Sequence, residues 1–144
     1  MKTVAQLLKC KPPGVVSISP DATVLDAVRL LAEKGVGSLL VMEGVLLRGI
    51  ISERDYARKL ILMGKSSATT LVSEVMTKEV FFVTPAHTDV ECMVLMNKKG
   101  IRHLPVMDND QVVGVLSIRD LLKEFIAEQQ GAIDQLTNYT GPKE

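Results

Sequence analysis

The stretch Gly49-Ile-Ile-Ser-Glu-Arg-Asp55 recurs as Gly114-Val-Leu-Ser-Ile-Arg-Asp120, 65 residues further along the chain. No insertion separates the two copies, and an internal repeat of this kind decides the architecture. Two copies are too few for a solenoid, so we expect two half-size units packed about a pseudo-two-fold axis. Clefts along that axis would be lined by equivalent residues of both halves. Two further pairs at the same offset are Pro20 with Pro85 and Gly35 with Gly100.

The composition bounds the size and chemistry of the core. A chain of 144 residues is about one domain in length, and each half alone would bury too little surface to be stable. Hydrophobic residues make up 47% of the chain and aromatic residues only 3%, so the core must consist of Val, Leu, Ile, Met and Ala. The 17 acidic and 17 basic residues cancel, which disfavours a nucleic-acid or membrane-surface partner.

The cysteines and histidines give no metal signature. Cys10 and Cys92 are far apart in sequence, and His87 and His103 are the only histidines, so we predict no metal site. The N-terminal apolar stretch is too short and too interrupted for a signal peptide, and no apolar run reaches the length of a membrane span. We predict a cytoplasmic protein in a reducing compartment.

Each copy begins with a short β-rich run, at residues 15–19 and 80–84, that a proline ends because it has no N–H to donate to a strand ladder. The sequences Thr23-x-x-Asp26 and Thr88-x-x-Glu91 follow, and both have the form of a capping box. A helix is therefore expected after each first strand.

Helical periodicity continues to Gly35 and Gly100, which stand where a glycine commonly ends a helix. Each glycine is preceded by a lysine, as is typical of the last helical turn. The predicted apolar faces are Val24, Ala27, Val28 and Leu31 in the first copy, and Val90, Met93, Met96 and Asn97 in the second.

Two apolar runs then predict a hairpin in each copy. A Ser-x-x-Asp sequence, starting at Ser52 or Ser117, opens a second helix. The unit is β-α-β-β-α, present twice, and the fold class is α+β. The hairpin runs are residues 36–42 with 45–51, and 101–107 with 111–116.

The domain organisation follows from the repeat. Residues 71–76 are expected to form a short turn or helix after a loop at 64–70, and the last helix is expected to continue to Leu136 with an interruption at Gly131. Residues 137–144 are expected to fray. The predicted divisions are an N-terminal leader (1–13), a first repeat (14–66), a second repeat with its own leader (67–123), and a C-terminal helix and tail (124–144).

The ordered set of motifs resembles the cystathionine β-synthase (CBS) domain, a small ligand-sensing module that occurs in tandem pairs. The resemblance covers residues 14–123 and rests on Gly35-Val-Gly-Ser-Leu-Leu-Val41 and the Gly49 stretch, repeated as Gly100-Ile-Arg-His-Leu-Pro-Val106 and the Gly114 stretch. The segment Ser73-Glu-Val-Met-Thr77 is similar to the one that commonly precedes a CBS copy.

The resemblance implies a flattened pair of units meeting through their sheets, often assembled as a homodimer. It further implies that an adenine nucleotide (AMP, ATP or NAD(H)) binds in the clefts between the copies, and that the module regulates a partner protein whose identity the sequence does not give. The motifs leave the choice among these nucleotides, ADP and S-adenosylmethionine open.

The Ser-x-x-Asp sequences have two interpretations. As a helix cap they need no ligand. The same helix start presents free N–H groups and a positive dipole end to a phosphate, and an adjacent Asp accepts hydrogen bonds from a ribose diol. By resemblance, Asp55 and Asp120 are ribose ligands and Ser52 and Ser117 lie near phosphate. We favour binding by Asp120 over Asp55.

The arginines of the repeat are candidate phosphate ligands. Arg54 and Arg119 precede the two acids, and a forked guanidinium suits phosphate; the alternative is a solvated arginine. By resemblance Arg102 points at a phosphate in the neighbouring site, and His103 is either a ligand or a partly buried histidine with internal partners. The first copy has Gly37-Ser38 instead, so we expect two inequivalent sites.

The base is expected in an apolar slot read by backbone groups. For each slot residue taken alone, core packing is the competing interpretation. By resemblance the slot residues are Val16, Ile18, Met76, Phe81 and Val83, and further candidate nucleotide-binding residues are Ser38, Leu39, Leu104 and Pro105.

The leading interpretation is a regulatory module that binds an adenine nucleotide and changes conformation, which requires different affinities for two states. The alternative is a ligand-independent dimerisation adaptor with vestigial sites. An enzyme is disfavoured because the sequence has neither a nucleophile–base pair nor a P-loop.

Overall fold

A computed structural model describes residues 1–12 and 14–129 and contains two units with the same plan. One sheet contains β1 parallel to β2 and β2 antiparallel to β3, and β4 and β5 form a second, antiparallel sheet. The mixed helix-and-strand class is confirmed. The elements are α1 (Val4–Lys9), β1 (Ser17–Ile18), α2 (Val24–Lys34), β2 (Ser38–Glu43), β3 (Leu46–Ser52), α3 (Glu53–Asp55) continued by a π-helix (Tyr56–Ile61), α4 (Val72–Val75), α5 (Asp89–Lys99), β4 (His103–Asp108), β5 (Gln111–Ser117) and α6 (Ile118–Glu128).

The predicted first strand of the second unit does not form as a full strand. The run 80–84 forms only a single parallel bridge, between Val83 and Val106. In the first unit the Leu40 N–H donates to the Val16 carbonyl at 3.2 Å. Its repeat equivalent is Pro105, which has no N–H, so that ladder bond cannot form.

Helices α2 and α5 begin and end at the predicted residues. The Thr23 and Thr88 hydroxyls each accept the N–H three residues on, at 3.2 Å. Gly35 and Gly100 adopt left-handed φ values of 64° and 65°, which glycine reaches without a Cβ penalty. The reciprocal capping bond is made in α5, where Glu91 accepts the Thr88 N–H at 2.9 Å, whereas α2 has only the Thr23 half of the predicted box.

The predicted apolar face is correct for α2 and wrong for part of α5. Val24, Ala27 and Leu31 are buried in α2, with Val28 packed beside them. In α5 the predicted Met96 is buried and Met93 packs against the core, but Asn97 is exposed and Val90 is 40% exposed. The residues at the repeat positions of Val24 and Ala27, which are Asp89 and Cys92, are buried instead.

Asp89 tolerates burial because its carboxylate has partners at the helix start. Its oxygens accept the Lys2 N–H at 3.2 Å and the Val90 N–H at 2.7 Å. The spacing of apolar residues alone therefore predicted part of the buried face of α5 wrongly, because a hydrogen-bonded acid occupies a position that the other copy fills with valine.

The short helices α1 and α4 are exchanged between the units. Val4 and Leu7 of α1 lie in the core of the second unit, and Val72 and Val75 of α4 lie in the core of the first. The first unit therefore comprises β1 to the π-helix plus α4, and the second comprises residues 80–128 plus α1. The predicted boundaries after residues 13 and 66 divide the chain in sequence order, so they assign α1 to the N-terminal leader and α4 to the second repeat.

Two glycines of the repeat make room for these exchanged segments. A Cβ on Gly49 would lie 2.8 Å from the Thr77 carbonyl oxygen and 2.9 Å from the Met76 sulfur. A Cβ on Gly114 would lie 2.7 Å from Cδ2 of Leu8. The exchange thus accounts for glycine at this position in both copies.

Both predicted hairpins form, each with a bulge after Val41 or Val106. The second turns through Asn109 and Asp110, whose φ values of 52° and 63° fit a type I′ turn. The last helix extends to Glu128, and the predictions for Gly131, Leu136 and residues 137–144 fall outside the described residues.

Candidate functional site: two clefts between the repeats

Two clefts lie between the units, and each combines residues from both. Cleft one, of about 1240 Å³, joins β1 and the start of β2 to the start of α6. Cleft two, of about 380 Å³, joins residues 79–81 and the start of β4 to the start of α3. Each cleft therefore brings the β-rich run of one copy to the Ser-x-Arg-Asp sequence of the other.

Eleven of the predicted site residues line these clefts. Arg102 and His103 line both, because they lie where the clefts adjoin. Cleft one also has Val16, Ser38, Ser117, Arg119 and Asp120, and cleft two also has Ser52, Arg54, Asp55 and Phe81.

The remaining six predicted residues lie behind the walls. Core packing is the interpretation that competed with base binding for Ile18, Met76 and Val83. Leu39, Val83, Leu104 and Pro105 are buried, and Ile18 and Met76 pack against the core of the first unit.

In cleft one, Ser117 and Asp120 form the cap of α6. The Asp120 N–H donates to Ser117 Oγ at 3.1 Å, and the Ser117 N–H donates to Asp120 Oδ2 at 2.8 Å. Lys11 donates to the same Oδ2 at 2.7 Å. Burial opposes ionisation, but the bonds from Lys11 and Ser117 outweigh it, so the pKa of the Asp120 carboxyl is below its ordinary value.

In cleft two, the equivalent Asp55 carboxylate is held on both oxygens. Oδ2 accepts from the Ser52 N–H at 3.0 Å and the Ser52 hydroxyl at 3.1 Å. Oδ1 accepts from the Thr77 hydroxyl at 3.0 Å and pairs with Lys59 at 3.1 Å. The Asp55 side chain is 10% exposed, against 25% for Asp120.

The other groups of cleft two are also engaged. Arg54 Nη1 donates to the Gly100 carbonyl at the end of α5, at 3.0 Å. The Lys99 ammonium lies 4.8 Å from the centre of the Phe81 ring, in a cation–π contact. Arg119 and Val16 line the larger cleft one, and the Arg119 side chain is exposed, as is that of Arg54.

Gly37 leaves space for His103 between the two clefts. A Cβ on Gly37 would lie 3.5 Å from the His103 ring and 3.3 Å from Glu53 Oε1. Burial lowers the pKa of His103; Asp120 opposes this shift, and nearby cationic side chains reinforce it. Ser38 stands at the repeat position of His103 and lines cleft one only, and the clefts differ in volume.

Sequence reasoning missed the partners of the two acids. Lys59 lies four residues after Asp55 on one helical face, a spacing that could have predicted the pair. Lys11 is 109 residues from Asp120 and carries no local signal. Tyr56, which lines cleft one, was missed because it does not belong to the repeated motif.

Within residues 1–12 and 14–129, no group of three or more His, Cys, Asp or Glu side chains is placed to hold a metal ion. No helix in this part of the chain is long and apolar enough to cross a membrane.

The CBS-domain family model matches residues 11–62 and 72–127. The chain therefore belongs to the CBS-domain family and carries two CBS domains in tandem, as the resemblance predicted. Modules of this class are in general regulatory and non-catalytic, and they typically bind adenylates.

Similar proteins occur in bacteria and plants. A solved CBS-domain structure from Burkholderia ambifaria, a candidate signal-transduction protein, is 46% identical with a TM-score of 0.87, covering 89% of this chain and 96% of that one. The CBS domain-containing protein YhcV of Bacillus subtilis is 31% identical, covering 86% and 81%. The mitochondrial CBSX3 of Arabidopsis thaliana is 39% identical over 83% of this chain, which spans only 60% of that relative.

Proposed function

We propose that this module binds an adenine nucleotide, AMP or NAD(H), in cleft one and responds by a change of conformation. The observation that carries the proposal is Asp120, a partly exposed, ionised carboxylate at the start of α6, facing a cleft that holds Val16 on the opposite wall. Arg119 and Arg102 line the same cleft and supply phosphate ligands.

The pieces of cleft one match the parts of a nucleotide. Asp120 offers acceptors for the ribose hydroxyls, and the start of α6 offers the positive end of its helix dipole to phosphate. Val16 and Leu40 provide apolar surface for the base. A volume of about 1240 Å³ accommodates AMP and leaves space for a larger ligand such as ATP or NAD(H).

Isothermal titration with AMP, and with NADH in parallel, tests the proposal. Asp120→Asn keeps the side-chain shape and removes the charge, and Asp55→Asn is the matched control in the other cleft. We expect Asp120→Asn to weaken AMP binding about 30-fold or more, through lost charge-assisted bonds, and Asp55→Asn to change it by less than about threefold. Equal affinities for the wild type and Asp120→Asn would contradict the proposal.

A second candidate is a dimerisation adaptor. Neighbouring helices α5 and α6 expose apolar side chains at i, i+4 spacing, Val90 with Val94 and Leu122 with Ile126. One similar solved structure, 29% identical, is a hexameric CBS-CP12 protein. A homodimer that persists without nucleotide, in protein that shows no binding heat, would favour this candidate. The cytoplasmic location stays a prediction.

A further inference from the structure

Lys11 holds the carboxylate oxygen that a ribose would need. Its ammonium donates to Asp120 Oδ2 at 2.7 Å and to the Val115 carbonyl at 2.5 Å. The Ser117 N–H donates to the same Oδ2 at 2.8 Å. A carboxylate oxygen accepts about two hydrogen bonds, so Oδ2 is filled, while no donor among the described residues is bonded to Oδ1.

A vicinal diol binds a carboxylate best by donating one hydroxyl to each oxygen, as other two-donor groups do. With Lys11 in place, Oδ1 is the only carboxylate oxygen of Asp120 open to the ribose, so the diol cannot place one hydroxyl on each oxygen. Full engagement of the ribose therefore requires the Lys11 ammonium to leave Oδ2. The Ser117 N–H belongs to the cap of α6 and stays in place.

The displaced ammonium needs another acceptor. The Lys11 side chain is 31% exposed and lines cleft one, so it swings on a flexible stem within the space that the ligand occupies. A neutral nucleoside offers it no anionic acceptor and leaves the broken ion pair uncompensated. A nucleotide carries a phosphate that accepts the ammonium in a charge-assisted hydrogen bond.

We infer that Lys11 is a specificity residue that makes ribose binding by Asp120 conditional on a phosphate in the same ligand. This inference rests on the proposed function of cleft one. In cleft two a lysine, Lys59, also pairs with the aspartate, but both oxygens of Asp55 are engaged, so neither is left open to a ribose. The repeat position of Lys59 is occupied by Glu124, which pairs with Lys2 instead.

The test compares adenosine with AMP by isothermal titration on wild type, Lys11→Met and Lys9→Met. Lys9 is an exposed lysine in the same segment, outside both clefts, and gives the matched loss of charge. We expect Lys11→Met to tighten adenosine binding several-fold and weaken AMP binding, so that the preference for AMP falls about tenfold or more. Lys9→Met is expected to keep the wild-type preference.

Lys11→Arg retains the cation and is expected to retain most of the preference, provided that thermal unfolding shows all variants folded. If Lys11→Met changes both affinities by the same factor, Lys11 has a structural role only and the inference is overturned. If both affinities rise, Lys11 only competes with the ribose, and the phosphate link is overturned. If the wild type binds AMP and Lys11→Met keeps the same preference for AMP over adenosine, the inference alone is overturned. If the wild type binds neither ligand, the proposed function and the inference are overturned together.

Discussion

Cleft one and cleft two present the same Ser-x-Arg-Asp sequence in different states. In cleft two, Asp55 is bonded on both oxygens and Arg54 is bonded to the Gly100 carbonyl. In cleft one, Asp120 has a single oxygen engaged, by Ser117 and Lys11. The two copies therefore show that the motif itself does not determine how its aspartate is bonded. Residues outside the motif decide, and they are not repeated.

The largest expected difference between the clefts is in stability. Asp55→Ala removes a helix cap and the bonds to Thr77 and Lys59 in a nearly buried site, so we expect a loss of about 3 kcal/mol in the free energy of unfolding. Asp120→Ala removes a more exposed group, and we expect about 1 kcal/mol. Urea denaturation of both variants measures the two losses in the free energy of unfolding. An equal or larger loss for Asp120→Ala would contradict the contrast.

The glycines behind the clefts provide a smaller contrast. In Gly49→Ala the new methyl group would meet the Thr77 backbone oxygen at 2.8 Å, and backbone yields with difficulty. In Gly114→Ala it would meet the end of the Leu8 side chain at 2.7 Å, which can change rotamer. We expect about 2 kcal/mol of destabilisation for Gly49→Ala and less than about 1 kcal/mol for Gly114→Ala. Thermal unfolding of the two variants tests this order, and a larger loss of stability in Gly114→Ala than in Gly49→Ala would contradict it.

The smallest expected effect is a pH dependence that comes from Asp120. Its pKa in the folded protein is below the ordinary value of 3.8, so its stabilising contribution is present above that pH and is lost as the pH falls through the folded value. The difference in unfolding free energy between the wild type and Asp120→Asn should be below about 1 kcal/mol near pH 5 and should shrink under about pH 4, while any change between about pH 5 and 8 reports the effect of the Asp120 charge on His103. A difference that grows in acid would contradict this assignment.

The repeat made most of the fold predictable. Its constant offset indicated the βαββα order, the hairpins and the helix ends, because these depend on local signals such as Thr23 and Gly35. The absence of a full strand at 80–84 could also have been predicted, because Pro105 has no N–H to donate to a strand ladder. The α5 face was missed because apolar periodicity was followed in place of the repeat, which assigns Asp89 to the position of Val24.

The site was predictable only in outline. The motif brought eleven of the named residues to the two clefts, because strand ends and helix starts of a paired fold meet there. It did not distinguish wall residues from core residues such as Leu39 and Leu104, since strand alternation alone does not say which face is covered. It also missed Lys11, because a contact between positions so far apart in sequence is made only by tertiary folding.

The exchange of α1 and α4 has a consequence for the order in which the protein folds during synthesis. The first unit receives α4 soon after its own last helix, so it can close while the chain is still being made. The second unit needs α1, which is made before the rest of that unit and whose Val4 N–H bonds to the His87 carbonyl only after that residue is made. Until then Val4 and Leu7 have no core to enter. The nascent chain therefore carries an unsatisfied apolar segment, and completion of the second unit ends that exposure.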